Sequence, residues 1–214
     1  MKIGVIGASG RAGKTIAKEA ATRGHQVTAI VRDAGKVAES GYVVLEKDVF
    51  DLTAQDLGAF DVVVNAFGAM VPGTAHLHVD AGRSLIEALK GAPNTRLIVV
   101  GGAGSLYVDE AKTLRLVDTP EFPDAYKDIA LNQGKALEDL KASSGIRWTF
   151  VSPSAFFNAE GKRTGTYRTG TDNLLVNAKG DSYVSYADYA IAIVDEIENP
   201  QHANARFTVV SEAE

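Results

Sequence analysis

A doubly wound α/β fold with a mostly parallel sheet is what this 214-residue sequence predicts. Three observations carry that expectation. Short runs rich in Val and Ile alternate with helix-periodic stretches along most of the chain. The first run, KIGVIG, leads straight into the glycine-rich turn GASGRAGKT and then into a helical pattern. The runs are continuous rather than alternating apolar and polar, as strands covered on both faces must be.

The strands are expected at 2–7, 26–31, 42–47, 61–67, 96–102, 147–153 and 206–210. Helices are expected between them at about 11–23, 53–57, 75–90, 124–143 and 186–198. Strand-helix alternation of this kind closes through right-handed crossovers into a parallel sheet. Residues 158–185 break the rhythm, being rich in Gly, Thr, Lys and Arg with no helical period. They read as substrate-side loops with a short hairpin, anchored by Tyr167, Leu174, Leu175 and Val176. Ser185 and Asp188 have the spacing of a capping box at the start of the last helix, and Pro200 ends it. The expected organisation is one Rossmann-type domain over 1–214, with 158–185 as a small loop-rich substrate region.

Composition narrows the function. A formal net charge of −5 argues against a nucleic-acid surface, and the absence of cysteine excludes disulfides, thiol catalysis and cysteine metal sites. No apolar run approaches the roughly 20 residues of a membrane span, and the N-terminal one is too short for a signal peptide. The expectation is a cytoplasmic protein without nucleic-acid or membrane partners. Nothing in the sequence speaks to oligomeric state.

The glycine turn fits two phosphate-binding patterns. Ala8-x-x-x-x-Gly13-Lys14-Thr15 is a relaxed triphosphate loop, and Gly7-x-x-Gly10-x-x-Gly13 is a relative of the dinucleotide fingerprint. A triphosphate loop needs a magnesium-holding acid at the tip of another core strand. Here the strands end VVVNAFG and IVVGGAG, without a carboxylate. In the dinucleotide reading Gly7 makes the tight turn, Gly10 lets the backbone approach the pyrophosphate, and Gly13 permits close helix-strand packing. Ser9, Arg11 and Ala12 complete that loop at a helix N-terminus, where anions bind. Lys14 is then a solvated helix residue.

Arg32 ends the second strand, where the adenosine ribose is read. Its fork of donors matches a 2′-phosphate, so NADPH is the expected cofactor, with Arg11 as a second cation. NAD stays open because the adjacent Asp33 could accept from a free 2′-hydroxyl. Asp48, beside Val49, is placed to accept from the adenine amino group, or else is a surface turn residue. Ala66, Phe67 and Gly68 follow the fourth strand and could pass under the adenosine or pyrophosphate.

Three further segments, GIRWTFVSPSAFF, GKRTGTYRTGTDNLL and SYVSYADYAIAIVDEIENP, follow in order. With them and the glycine loop, the chain resembles the atypical short-chain dehydrogenase/reductase superfamily over nearly its whole length. Within it the chain is similar to the NAD(P)H-binding group of NADH-flavin reductases and biliverdin/flavin reductase-like proteins. The resemblance implies that Ser152, Pro153, Ser154 and Ala155 pass the nicotinamide, with Phe156 on the substrate side. The sequence departs from the superfamily at one point. Typical members pair a tyrosine with a lysine four residues on, the lysine lowering the tyrosine pKa for proton transfer. None of the seven tyrosines here has that lysine. Tyr126 opens the long helix where the catalytic tyrosine is expected, but Ala130 replaces its partner, so Tyr126 is a substrate-side candidate and no catalytic residue is assigned.

Alcohol-ketone interconversion by the usual route is therefore not expected. Hydride transfer to a flavin or quinone-like acceptor tolerates the loss, since the reduced ring can take its proton from water and orientation carries the catalysis. The alternative is a non-catalytic redox sensor that binds dinucleotide and acts through a protein partner. An epimerase- or dehydratase-like enzyme on sugar nucleotides would need a larger substrate region. His76 and His78 lie two apart, off a common helix face, so no metal site is expected. No G-x-S-x-G elbow supports a hydrolase. Lys162, Arg163 and Arg168 read as a solvated loop before they read as an anion site.

Overall fold

The computed structural model describes residues 1–212. Its central sheet has eight strands in the order β3-β2-β1-β4-β5-β6-β10-β8. These are β1 (Lys2–Ile6), β2 (Gln26–Val31), β3 (Val43–Glu46), β4 (Val62–Asn65), β5 (Arg96–Val100), β6 (Arg147–Ser152), β8 (Arg168–Gly170) and β10 (Ala205–Val210). From β3 to β10 every pairing is parallel, and only the edge strand β8 runs antiparallel. The order reverses beside β1, which pairs with β2 on one side and β4 on the other. That crevice, outside the carboxyl ends of the strands, is where open α/β sheets bind ligands.

The helices are α1 (Arg11–Thr22), α2 (Ala54–Leu57), α3 (Leu77–Lys90), α4 (Asp124–Ala142) and α5 (Tyr186–Glu198). Successive side chains of a strand point to opposite faces, and both faces are covered. Val62 and Val64 of β4 join Ile3, Val5, Val151 and Phe207 in a core under α1 and α5. Val63 joins Ile30, Leu97 and Phe150 in a second core under α3 and α4, closed by Leu85, Leu89, Leu137 and Leu140. Each such side chain contributes about 1.5–3 kcal/mol by leaving water. This is why the strands carry unbroken apolar runs.

Residues 158–185 hold no hairpin. The short strand β7 (Phe156–Asn158) pairs in parallel with β9 (Tyr183–Ser185), and β8 joins the edge of the main sheet at β10. Long-range anchors decide this. The Phe157 ring lies 3.9 Å from that of Tyr186 and 4.7 Å from that of Tyr189, which docks β7 on α5 rather than on its sequence neighbours. The capping box is only half made. Ser185 Oγ accepts from the Asp188 N–H at 3.0 Å. Asp188 is fully buried and turns instead to the preceding loop, accepting from Thr164 N, Thr164 Oγ1 and Gly165 N at 2.9, 2.8 and 3.0 Å. Arg163 pairs with Glu19 at 3.1 Å, and Arg168 donates to the Val176 carbonyl at 2.5 Å, so both are engaged within the protein. Three 3-10 turns, Ala34–Ser40, Val49–Asp51 and Leu116–Asp118, fall in stretches without a periodic signal.

Candidate functional site

The three glycines of the first loop differ physically. Gly7 has a φ of 73°, the left-handed region, and a Cβ there would lie 2.6 Å from the Ala66 carbonyl oxygen. A Cβ on Gly13 would overlap the Gly7 carbonyl, so α1 can approach β1 only with glycine at that position. Gly10 is different: it is exposed, and a Cβ would meet only the Gly7 oxygen, at 3.2 Å. The protein's own packing nearly admits a side chain there. Gly10 also occupies the N-cap of α1 without a side-chain cap, and the first turn of α1 carries no acid. A helix N-terminus left open and without negative charge is suited to an anion. Ser9 and Arg11 are exposed and Ala12 half-buried around it.

Arg32 leaves the end of β2 with its side chain 76% exposed, and its Nε lies 4.0 Å from Asp48 Oδ2. The structure thus brings these two candidates together. Asp48 Oδ1 also accepts from Phe50 N at 3.2 Å, capping the turn in which Val49 is buried. Asp33 Oδ1 accepts from Gly35 N at 3.0 Å, which opens the next turn. After β4, Ala66 N donates to Ile6 O at 3.0 Å, tying this turn to β1 beside the glycine loop. Phe67 is half-buried, and Gly68 is exposed with open space around its Cα.

At the end of β6 the four carried-over residues are not equivalent. Ser154 Oγ donates to the Val209 carbonyl at 2.8 Å, so its hydroxyl serves β10 and only its backbone is available. Pro153 is buried, and Ala155 is exposed with its N–H donating to Ser182 Oγ at 3.1 Å. Ser152 is fully buried, and among the described residues its Oγ has no hydrogen-bond partner. The same holds for Thr208, its register partner on β10. Buried hydroxyls are rarely left so, and Ser152 stands at the carboxyl end of β6 with Thr208 beside it in register.

Phe156 and Tyr126 are 61% and 55% exposed. Tyr126 lies in the first turn of α4, and one turn further Ala130 packs against Gly104, where a Cβ would come within 2.6 Å of it. Gln133, another turn on, lies against Gly102, whose Cβ would overlap the Gln133 carboxamide oxygen. The face of α4 turned to the loop after β5 therefore carries an alanine and a neutral amide.

Sequence reading passed over Gln133 and Asn65, and weighed His78 only as a metal ligand, which it set aside. All three line a small cleft of about 20 Å³ between α3 and α4, with Phe67, Val100 and Phe150. Asn65 Oδ1 accepts from Phe67 N at 3.1 Å and His78 Nε2 from Ala69 N at 3.3 Å. An Asn ending a core strand just before a turn was the available signal for Asn65. A larger open depression, about 480 Å³, lies at the other end of the sheet and is lined by Met1, Lys2, Gln26, Phe60, Asp61 and Asn94. It sits at the amino ends of the strands, away from the switch point, so the site is assigned to the carboxyl ends.

A family model described as NAD(P)H-binding matches residues 7–200. YwnB, an uncharacterized Bacillus subtilis protein, is 67% identical over 214 residues, spanning all of both chains. The crystal structure of a candidate NADH-flavin reductase from Streptococcus pneumoniae is 45% identical with a TM-score of 0.92, covering 99% of this chain and 100% of that one. That of a candidate epimerase from Bacteroides thetaiotaomicron is 35% identical with a TM-score of 0.88, covering 100% of this chain and 98% of its own. The chain belongs to the NAD(P)H-binding family, and its fold is that of the flavin-reductase-like neighbours.

Proposed function

We propose that this member of the NAD(P)H-binding family is a reductase that transfers hydride from NADPH to a flavin or quinone-like acceptor. The observation that carries the reading is a pairing. The glycine cradle is complete, with Gly10 unexplained by the protein's own packing, while the face of α4 turned to the loop after β5 offers Ala130 and Gln133 and no lysine. Such a site orients a nicotinamide and supplies no strong acid.

The residues fit the dinucleotide. Gly7, Gly10 and Gly13, with Ser9, Arg11 and Ala12, would hold the pyrophosphate on the open N-terminus of α1. Arg32 would take the 2′-phosphate, with Asp48 and Val49 at the adenine and Ala66, Phe67 and Gly68 below the adenosine. Ser152 to Ala155 would pass the nicotinamide end, with Ala155 the exposed member of the four and the Ser152 hydroxyl buried. When bound, the reduced nicotinamide supplies a hydride. The chain's part is to orient that ring and exclude water from one face of it, leaving the proton to come from solvent. Tyr126, Phe156, Met70 and Val71 are each exposed, apolar side chains that a flat acceptor could cover. The carboxyl ends of the strands, 158–185 included, would then serve one function within one domain.

Support for flavin over sugar nucleotide comes from the 45% identical neighbour described as a candidate NADH-flavin reductase. The test is steady-state turnover with NADPH against FMN, riboflavin and a quinone panel, with a UDP-sugar as control. Acceptor-dependent NADPH oxidation supports the reductase. Tight binding with no oxidation over the whole panel would assign the protein to redox sensing, and UDP-sugar turnover would assign it to epimerisation.

A further inference from the structure

We propose that His78 is a positioning residue of the dinucleotide site, holding the turn at 66–69 in shape through a neutral imidazole; this rests on the reading of that turn as cofactor-binding. The turn is tied at three points. Ala66 N donates to Ile6 O at 3.0 Å, Phe67 N to Asn65 Oδ1 at 3.1 Å, and Ala69 N to His78 Nε2 at 3.3 Å. The Phe67 ring meets the imidazole edge-on, with centroids 5.7 Å apart and planes at 73°. His78 is the second residue of α3, so these contacts fasten the turn to the helix body. The turn in its place abuts the glycine loop, where the Ala66 carbonyl is the atom that crowds Gly7. A shift at Ala69 would therefore carry through Ala66 to the backbone around Gly7.

The Ala69 N–H needs a lone pair on Nε2, which places the neutral ring's proton on Nδ1. A protonated imidazole has donors on both nitrogens, so it would set N–H against N–H and release the turn. Burial pushes the His78 pKa below the usual histidine range. The polar neighbours in its cleft, Asn65 and Gln133, are uncharged. Of the charged groups on the elements packed against α3, Asp56 pairs with Lys47, Asp139 with Arg83 of α3 itself and Glu138 with Lys141. Neither these nor Asp51, Asp124, Lys127, Asp128 and Lys135 line the cleft that holds the imidazole. Along α3 stand Asp80, Arg83, Glu87 and Lys90, with His76 at its N-cap, and burial is what lowers the His78 pKa.

The sign follows from the lowered pKa. An unfolded histidine titrates near pH 6.5 and the folded one below it. The clamp is whole above the unfolded value and is lost as the pH falls through the folded one.

The experiment compares wild type with His78→Gln, whose carboxamide oxygen can accept from Ala69 N without titrating, and His78→Phe, which keeps the ring packing but has no acceptor. Dissociation constants for NADPH are measured between about pH 7.5 and about pH 5, with amide-exchange protection of residues 66–70 in the free proteins. The 2′-phosphate titrates too, but equally for all three proteins, so differences between them carry the result. Expected is a loss of wild-type affinity on acidification about three- to tenfold beyond that of His78→Gln, with His78→Phe weakened by a similar factor already at neutral pH. Protection of the turn should fall in step. Identical pH profiles for wild type and His78→Gln would overturn the proposal, as would protection that changes while affinity does not. A wild type that binds neither NADPH nor NADH at neutral pH, with protection still following the imidazole, would overturn the cofactor reading and His78's place in that site.

Discussion

The two ends of the sheet are built by different means. On the β1–β4 side the site is made of backbone: a left-handed glycine, a glycine pressed against a carbonyl, an uncapped helix and a short turn. On the β6–β10 side the loops are held by side chains from distant parts of the chain. Arg206, on β10 and buried, donates to Asp172 at 2.7 and 3.0 Å and to Ser105 Oγ at 2.9 Å, joining the loop after β5 to the loop after β8. Asp188 holds 164–165, and Tyr167 donates to Asp195 at 2.5 Å. Backbone-built sites tolerate almost no substitution but need few partners. Side-chain-built loops can be re-cut one tie at a time.

The sharpest way to break this contrast is Gly10→Val. The fold should keep its melting temperature, because the nearest atom to the new Cβ is one oxygen at 3.2 Å. Dinucleotide binding should be abolished in a calorimetric titration with NADPH. Unchanged affinity would mean that Gly10 is merely a turn residue, and a wild type binding ATP with magnesium would restore the triphosphate loop.

On the other side, Arg206→Leu leaves Asp172 in place and removes the tie between two loops. Urea unfolding should show a loss of about 1.5–3 kcal/mol, that of charge-assisted hydrogen bonds whose remaining partner, Asp172, is 35% exposed. Lys112 remains 3.1 Å from Asp172, which favours the lower end of that range. NADPH affinity measured well below the unfolding transition should stay near wild type if the two sides are as separate as their construction implies. A large loss of affinity would join them.

Arg32→Ala sharpens the backbone side by testing its one exposed side-chain reader. The ratio of NADPH to NADH dissociation constants should shift by about 10- to 150-fold, or roughly 1.5–3 kcal/mol, because only NADPH carries the 2′-phosphate. Exposure of the guanidinium points to the lower half of that span. A wild type that already prefers NADH would instead make Asp33 the ribose reader. The smallest effect is expected of Tyr126→Phe. If solvent protonates the acceptor, flavin reduction should stay within about tenfold, or about 1.4 kcal/mol of barrier. A thousandfold loss would make Tyr126 an essential acid and return the protein to carbonyl chemistry.

What could be read without coordinates was whatever local pattern encodes. Seven strands and five helices follow from apolar runs and helical period, because a strand covered on both faces must be apolar throughout. The glycine loop was legible because only glycine allows a φ of 73° or a helix pressed against a carbonyl. The position of Arg32 just past β2 was legible because the apolar run stops there. What only the tertiary structure decided involves partners far apart in the chain. Asp188 has the spacing of a capping box, yet its carboxylate holds residues 23 and 24 positions away. The strand pairing of 156–185 depends on rings of α5, so the expected hairpin gave way to β7–β9 and β8–β10. In sequence His78 carries no positive signal, since its spacing from His76 argues against a metal pair. Its contact with Ala69 exists because α3 returns beneath the turn, and no nearest-neighbour rule contains that return.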